Sequence, residues 1–253
     1  MSKILTRRAL VGSLVAGAGT LISGCDKLGD NPDFQKLLKQ GERGNYGLQR
    51  LLQDNTALAT EYAPNQRSPI FRSNGTAMPV GEDYARHVAA GFADWTLVID
   101  GMVARPQTIA LNEIRNLPHR SQITRHDCVE GWSAIAKWTG TPLKLLLDRA
   151  GVSPQANYVV FHCADANDGA PYYESIDRID AAHPQTMLAW ALNDQYLPVA
   201  NGAPLRLRVE RQLGYKHAKY VNRLELVSSL KGIRGGNGGF WEDAAGYQWY
   251  AGI

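Results

Sequence analysis

Cys128 sits in the run RHDCVEGW, residues 125–132, between a histidine and an acid on one side and a glutamate, a glycine and a tryptophan on the other. A thiol so placed has four uses. It can pair in a disulfide, attack as a nucleophile activated by His126 or His217, ligate a metal, or pack in a core. The chain holds three cysteines, Cys25, Cys128 and Cys163, and no C-x-x-C pair. That excludes a zinc ribbon, an iron–sulfur run and an attached c-type haem. A second reactive group follows. Asn201, Gly202 and Arg206 precede GYKHAK, which gathers Gly214, Lys216, His217 and Lys219 within six residues. Glycines let backbone N–H groups approach a ligand, and Lys, Arg and His add charge, so the group fits an anionic, phosphate-bearing ligand. A solvated basic turn would have the same composition. No Walker or G-x-G-x-x-G pattern occurs, so the common nucleotide-binding loops are not supported.

The elements that must position these residues read as α+β with a mixed β-sheet. WTLVIDG (residues 95–101), SQITRHD, NYVVFHCAD, TMLAWALN, PLRLRVER and KYVNRLELVSS are predicted strands. ALNEIRNLP is a short helix stopped by Pro118. TGTPLKLLLDRAG is a helix, with Thr141 as N-cap, Pro142 in the first turn and Gly151 as C-cap. Strands outnumber helices without alternating with them. Strand alternation puts Arg206 and Arg208 on one face. Residues 26–90 read as an irregular arm with short helical pieces such as FQKLLKQ. Residues 91–230 form the main domain, and 231–253, rich in glycine and aromatics, form an ordered strap packed on it.

The composition suits a globular protein with a substantial core: 253 residues, 44% hydrophobic and 20% charged. A net charge of +3 without a run of five like charges gives no nucleic-acid footprint. Residues 1–25 read as an export leader. TRRAL, with Arg7 and Arg8, resembles a twin-arginine signal, and ISGC resembles a lipobox that would lipidate Cys25. The apolar run between them is too short and too rich in Gly and Ala for a stable membrane span. These features predict export in the folded state to the periplasm, with a lipid anchor on the inner membrane.

RHDCVEGWSAIAKWTGTPLKLLLDRAG and NGAPLRLRVERQLGYKHAKYVNRLELV resemble the molybdopterin domain of the sulfite oxidase family. The likeness covers most of residues 68–230 and is closest to the small bacterial branch that includes periplasmic methionine sulfoxide reductase catalytic subunits. It implies a cofactor of molybdenum and molybdopterin, without a nucleotide. Cys128 would ligate the molybdenum, which a soft thiolate suits, and the disulfide reading then recedes. Asn201, Arg206, His217, Ala218 and Lys219 would hold the pterin and its phosphate. Phe71 and Arg72 would close an arm over the cofactor. Tyr172 would stand beside the metal oxygen as a hydrogen-bond or proton-transfer group. Cys163 stands where the branch has a cofactor-contacting threonine; a thiol is the weaker hydrogen-bonding group, so a plain buried cysteine is the alternative reading. His126 is either a proton shuttle or a structural histidine. Glu130 would accept backbone N–H bonds, Trp132 would pack, and Lys137 would serve the loop or the site.

The expected function is oxygen-atom transfer on a small sulfur-type substrate, either reduction of a sulfoxide, including methionine sulfoxide, or oxidation of sulfite. A sulfite dianion would require arginines over the metal, for which Arg125, Arg208 and Arg211 are the candidates. Without a haem or iron–sulfur motif in the chain, electrons would pass to or from a membrane cytochrome b or a soluble cytochrome c. The rivals are a metal-free lipoprotein binding module of the same fold and a cysteine-nucleophile enzyme using Cys128.

Overall fold

The computed structural model describes residues 31–253, and these fall into two units, residues 31–53 and Asp54–Ile253. The leader and Cys25 lie outside the described residues. In the first unit, helix α1 runs Pro32–Leu52. The Asn31 side chain accepts from the N–H groups of Asp33 and Phe34, and Pro32 opens the first turn. This single 21-residue helix replaces the short pieces expected for the arm. Gly41, Gly44 and Gly47 read as breaks, yet each costs only about 1 kcal/mol inside a helix.

The second unit begins with an extended stretch. Tyr62 N–H donates to the Ile123 carbonyl and Ser68 N–H to that of Ile135. Helix α2, Glu82–Ala89, follows. Strands β1 (Thr96–Gly101) and β2 (Gln107–Ala110) lead into helix α3 (Leu111–Asn116), then the hairpin of β3 (Arg120–Asp127) and β4 (Ser133–Pro142). Helix α4 (Leu143–Ala150), strands β5 (Tyr158–Asn167) and β6 (Ala170–Asp177), helix α5 (Arg178–Ala181), and strands β7 (Met187–Leu192), β8 (Gln195–Tyr196), β9 (Arg206–Arg208) and β10 (Val221–Val227) complete the body. Helix α6, Phe240–Ala245, closes the sequence of elements.

The strands form two sheets. One has the order β2-β1-β10-β5-β6 and is mixed, since β1 and β10 are parallel and the other pairs antiparallel. The second, β3-β4-β7-β8 with β9 also on β7, is antiparallel. The α+β, mixed-sheet expectation therefore holds, with two sheets in place of one. The largest core contains Leu97 and Ile99 of β1, Leu224 and Leu226 of β10, and Leu143, Leu146 and Ala150 of α4, all fully buried. Burial of each Leu or Ile is worth about 1.5–3 kcal/mol. Alternation along β1 points Leu97 and Ile99 into that core and turns Val98, between them, to the other face.

Helix α4 starts differently from the expectation. Thr141 belongs to β4, paired with Leu188 of β7, and its hydroxyl donates to the Ile114 carbonyl at 2.8 Å. Pro142 holds the cap position, and the Leu143 N–H is satisfied by the Thr186 carbonyl. The sheet claims the threonine before the helix can use it. Gly151, in the left-handed region at φ +67°, ends the helix as expected. Strand β9 is only three residues long and buried throughout, because both of its faces are covered.

Candidate active site

Five segments converge on a cavity of about 530 Å³. They are the β3–β4 loop, the stretch Asn74–Thr76, the end of β5 with Tyr172 of β6, the turn Gly214–Lys219, and residues 241–247. Cys128 opens the five-residue loop of the β3–β4 hairpin, directly after the Asp127–Ser133 pair. Its N–H donates to the Trp132 carbonyl at 2.9 Å, and its carbonyl accepts from Gly131 N–H at 3.0 Å. Gly131 turns the chain back at φ +86°, a conformation that favours glycine. The loop thus aims Cys128 into the cavity with Val129 and Glu130 beside it. Burial pushes the thiol up from its usual range, while the N–H groups of Glu130 and Val129 and the Arg206 guanidinium favour the thiolate. Cys128 and Cys163 are both free thiols. Glu130 accepts the Trp132 indole N–H at 2.9 Å, not the backbone N–H groups expected, and Lys137 is bound to Asp194 at 2.5 Å, away from the cavity.

The basic cluster read as one group splits in two. Lys219 lines the cavity. Its ammonium donates to the carbonyls of Asn74 (2.9 Å), Ala200 (2.7 Å) and Thr76. Burial and the nearby Arg206 charge pull the amine down to about 7, while the three carbonyl acceptors favour its charged form. Arg206 is fully buried just behind. It donates to the Asn201 carbonyl and the Asn74 side chain, each at 3.0 Å, and its Nε has no partner. Burial and Arg208 lower Arg206 to about 9. Lys216 does not face the cavity. It is fully buried between the carboxylates of Glu174 and Glu242. Arg208 is likewise committed, with two donors on Glu210 and a third to His126 Nδ1 at 3.0 Å.

Arginine only donates, so the His126 proton must sit on Nε2. That atom has no partner, and a Cβ at Gly214 would lie 2.6 Å from it. His126 is therefore sealed behind Gly214 and does not line the cavity. His217 does. Its Nε2 donates to the Gln212 carbonyl at 3.0 Å, which leaves an unpartnered acceptor at the buried Nδ1. Burial and the two arginines push both histidines well below the usual imidazole range.

Tyr172 lines the cavity, stacks on Phe240 at 5.5 Å, and donates its hydroxyl to the Tyr215 carbonyl at 3.0 Å. Burial and the Glu174 charge push its phenol well up, so it stays protonated. Asn201 is buried at the site's edge, with an unpartnered side-chain N–H₂. Ala218 is buried, and its carbonyl accepts from Leu207 N–H.

Of the expected site residues, Cys128, Tyr172, His217 and Lys219 line the cavity, while His126, Asn201, Arg206, Ala218, Phe71, Arg72 and Cys163 do not. Phe71 packs edge-on against Trp138 at 5.1 Å and beside His126. Arg72 is exposed. Cys163 sits in the main core, its thiol 4.0 Å from the Phe161 carbonyl, and borders a different cleft. The arm residues that reach the cavity are Asn74, Gly75 and Thr76. They follow closely on Phe71 and Arg72, the arm residues that the resemblance assigned to the cofactor. Asp165, Trp241 and Tyr247 also line it and were not singled out in the sequence. Asp165 is buried with Oδ1 unpartnered, and burial raises its carboxyl to about 6. No arginine lines the cavity among the described residues. Arg125 is exposed and paired with Asp127, and Arg211 donates to the carbonyls of Asp54 and Asn55. No group of three or more His, Cys, Asp or Glu able to hold a metal occurs among the described residues.

Residues 85–231 match the oxidoreductase molybdopterin binding domain. A protein of Azospira oryzae, provisionally named protein-methionine-sulfoxide reductase subunit YedZ1, is 38% identical over 253 residues, covering 97% of this chain and 87% of that protein. The protein-methionine-sulfoxide reductase catalytic subunit MsrP of Xanthomonas axonopodis pv. citri is 35% identical over 147 residues, 54% of this chain and 46% of that protein. The sulfane dehydrogenase SoxCD of Paracoccus pantotrophus superposes with a TM-score of 0.50 at 24% identity, over 54% of this chain and 39% of that one, a likeness of fold.

Proposed function

The chain belongs to the oxidoreductase molybdopterin-binding family, of the sulfite oxidase type and close to the methionine sulfoxide reductase catalytic subunits, and we propose that it reduces a neutral sulfoxide, methionine sulfoxide above all. It is an oxidoreductase whose cofactor is a mononuclear molybdenum–molybdopterin. The unpartnered buried atoms around the cavity suit that group. Arg206 Nε and the Asn201 amide offer donors, His217 Nδ1 and Asp165 Oδ1 offer acceptors, and Lys219 supplies charge for a phosphate. In our reading Cys128 ligates the molybdenum as a thiolate, the pterin carries no nucleotide, and Asn201, Arg206, His217 and Lys219 hold it. A bound metal lowers the pKa of its thiol ligand, which reverses the effect of burial.

When bound, the cofactor supplies two-electron oxygen-atom transfer. The net reaction takes R₂SO, two electrons and two protons to R₂S and water. The chain's own groups bind, orient and hold protons. The Tyr172 hydroxyl keeps its proton and can turn from the Tyr215 carbonyl toward a substrate oxygen. The β3–β4 loop fixes Cys128 before substrate arrives, so no reorganisation is needed at the reacting centre.

The absence of arginine from the cavity wall, among the described residues, carries the choice of substrate. A sulfite dianion would meet Glu130 and Asp165, with Lys219 already held by three carbonyls. A neutral sulfoxide meets no such repulsion. The nucleophile reading has little support, because burial weakens the Cys128 acid and both neighbouring imidazole bases.

The leader reading completes the proposal: twin-arginine export, a lipid on Cys25, and a periplasmic site of action where a membrane cytochrome b or soluble cytochrome c delivers electrons. Among the described residues no helix is long and apolar enough to cross a membrane. The test is kinetic. Metal-loaded enzyme should oxidise a reduced viologen dye when given N-acetylmethionine sulfoxide, and should reduce ferricyanide with sulfite at least 100-fold less efficiently, about 3 kcal/mol in transition-state terms. Sulfite oxidation at equal or higher kcat/KM would reverse the assignment.

A further inference from the structure

We propose that Trp241 and Tyr247 form the specificity wall that receives the S-methyl group of a neutral sulfoxide side chain. The inference rests on the sulfoxide reading above and names the residues that select the substrate. Both residues line the same cavity as Cys128, and both lie outside the part matched by the family, residues 85–231. The local structure is built to put them there. Helix α6 ends at Gly246, whose left-handed conformation (φ +67°) turns the chain so that Tyr247 folds back over Trp241. The two rings stack at 5.8 Å with 25° between their planes. Tyr215, from the turn that also carries His217, meets Tyr247 edge-on at 5.0 Å.

The segment is held from behind by buried ionic contacts. Glu242, one residue after Trp241, binds Lys216 at 2.6 Å, and Glu174 binds the same ammonium. Trp249 donates to the Ser175 hydroxyl at 2.8 Å, and the Tyr215 hydroxyl donates to the Gln248 carbonyl at 2.6 Å. Trp241 and Tyr247 are themselves half-buried, with ring surface left for a ligand. Aromatic faces attract polarisable sulfur and the methyl groups beside it. They offer nothing to a dianion, and their electron-rich faces repel one. The wall therefore suits an alkyl sulfoxide whose oxygen points toward the Cys128 side and whose methyl lies on the rings.

The test uses molybdenum-loaded enzyme and the variants Trp241→Leu, Tyr247→Leu and Trp241→Phe. Each leucine variant should raise KM for N-acetylmethionine sulfoxide about 3–10-fold, the range of a lost sulfur–aromatic contact. Molybdenum content and thermal midpoint should stay at the wild-type level, and Trp241→Phe should recover most of the loss. An unchanged KM in both leucine variants overturns the inference, as does a KM rise that phenylalanine does not rescue. Loss of molybdenum or a lowered midpoint in both would make the segment a structural brace and overturn it equally. A wild-type enzyme that carries molybdenum yet reduces no sulfoxide would defeat the functional reading itself. A wild type that reduces sulfoxide beside unaffected variants would defeat this inference alone.

Discussion

Arg208 and Lys216 form one kind of buried cation in this molecule, and Arg206 and Lys219 another. All four lie within 14 residues of chain, and all are removed from water. Arg208 has Glu210, and Lys216 has Glu174 and Glu242. Arg206 and Lys219 hydrogen-bond only to carbonyls and an amide, Asp165 acts on Lys219 without a hydrogen bond to it, and burial pulls both their pKa values down. A buried charge with a carboxylate partner is complete and belongs to the scaffold. A buried charge without one is an incomplete arrangement that an anionic group can complete. The first pair belongs to the buried scaffold; of the second, Lys219 lines the cavity and Arg206 lies behind it.

The comparison breaks most visibly at Lys216. Lys216→Met would leave two carboxylates buried without a cation, and should lower the free energy of unfolding by about 3–5 kcal/mol in urea titration. Lys219→Met should change the stability of the cofactor-free protein by less than about 1 kcal/mol, while molybdenum content falls. A large stability loss at Lys219 would erase the distinction. Arg208→Leu comes next. It strips Glu210 of its guanidinium and leaves the Gln122 amide as its donor, so it should cost about 3 kcal/mol by the same titration. Arg206→Leu should leave the cofactor-free protein within about 1 kcal/mol of wild type and cut molybdenum per chain roughly tenfold, measured by elemental analysis.

The smallest effect sharpens the contrast through pH. Lys219 is lowered from 10.5 to about 7, so the folded chain binds fewer protons than the unfolded one between those values, and stability rises with pH across that window. Asp165 is raised from 3.8 to about 6, so the folded chain binds more protons there, and stability falls as pH rises through it. Together they make the cofactor-free site least favourable between about 6 and 7. Thermal midpoints against pH should show both limbs, and Lys219→Met should abolish only the alkaline one.

The four cations also show what could be read in the sequence. GYKHAK marked the right turn, but its two lysines look alike there. The partners that separate them, Glu174 and Glu242, lie 42 and 26 residues away and meet Lys216 only in the fold. The strand readings met β1, β3, β5, β7, β9 and β10 but not β2, β4, β6 or β8, so the β3–β4 hairpin that turns at Gly131 to place Cys128 was not read from the sequence. Nor were the place of Thr141 and the length of α1. A good cap residue was taken by a sheet, and a run of glycines was tolerated in a helix. Phe71 and Arg72 missed the cavity by a few residues because the arm has no periodicity to set which side chains turn inward. Cys163, aligned by resemblance with a cofactor contact, packs in the core, as its reading as a plain buried cysteine had it. Trp241 and Tyr247 looked like the trim of a surface strap, since aromatic residues in a glycine-rich run carry no signature of what they face.

Molybdenum per folded chain, compared between wild type and Cys128→Ala purified from the same molybdate-supplied, cofactor-competent host, tests the account most directly. Near-stoichiometric metal in the wild type and little in the variant, with equal thermal midpoints for the cofactor-free proteins, is the expected result. Metal-free wild type, or equal loading of both, would contradict it.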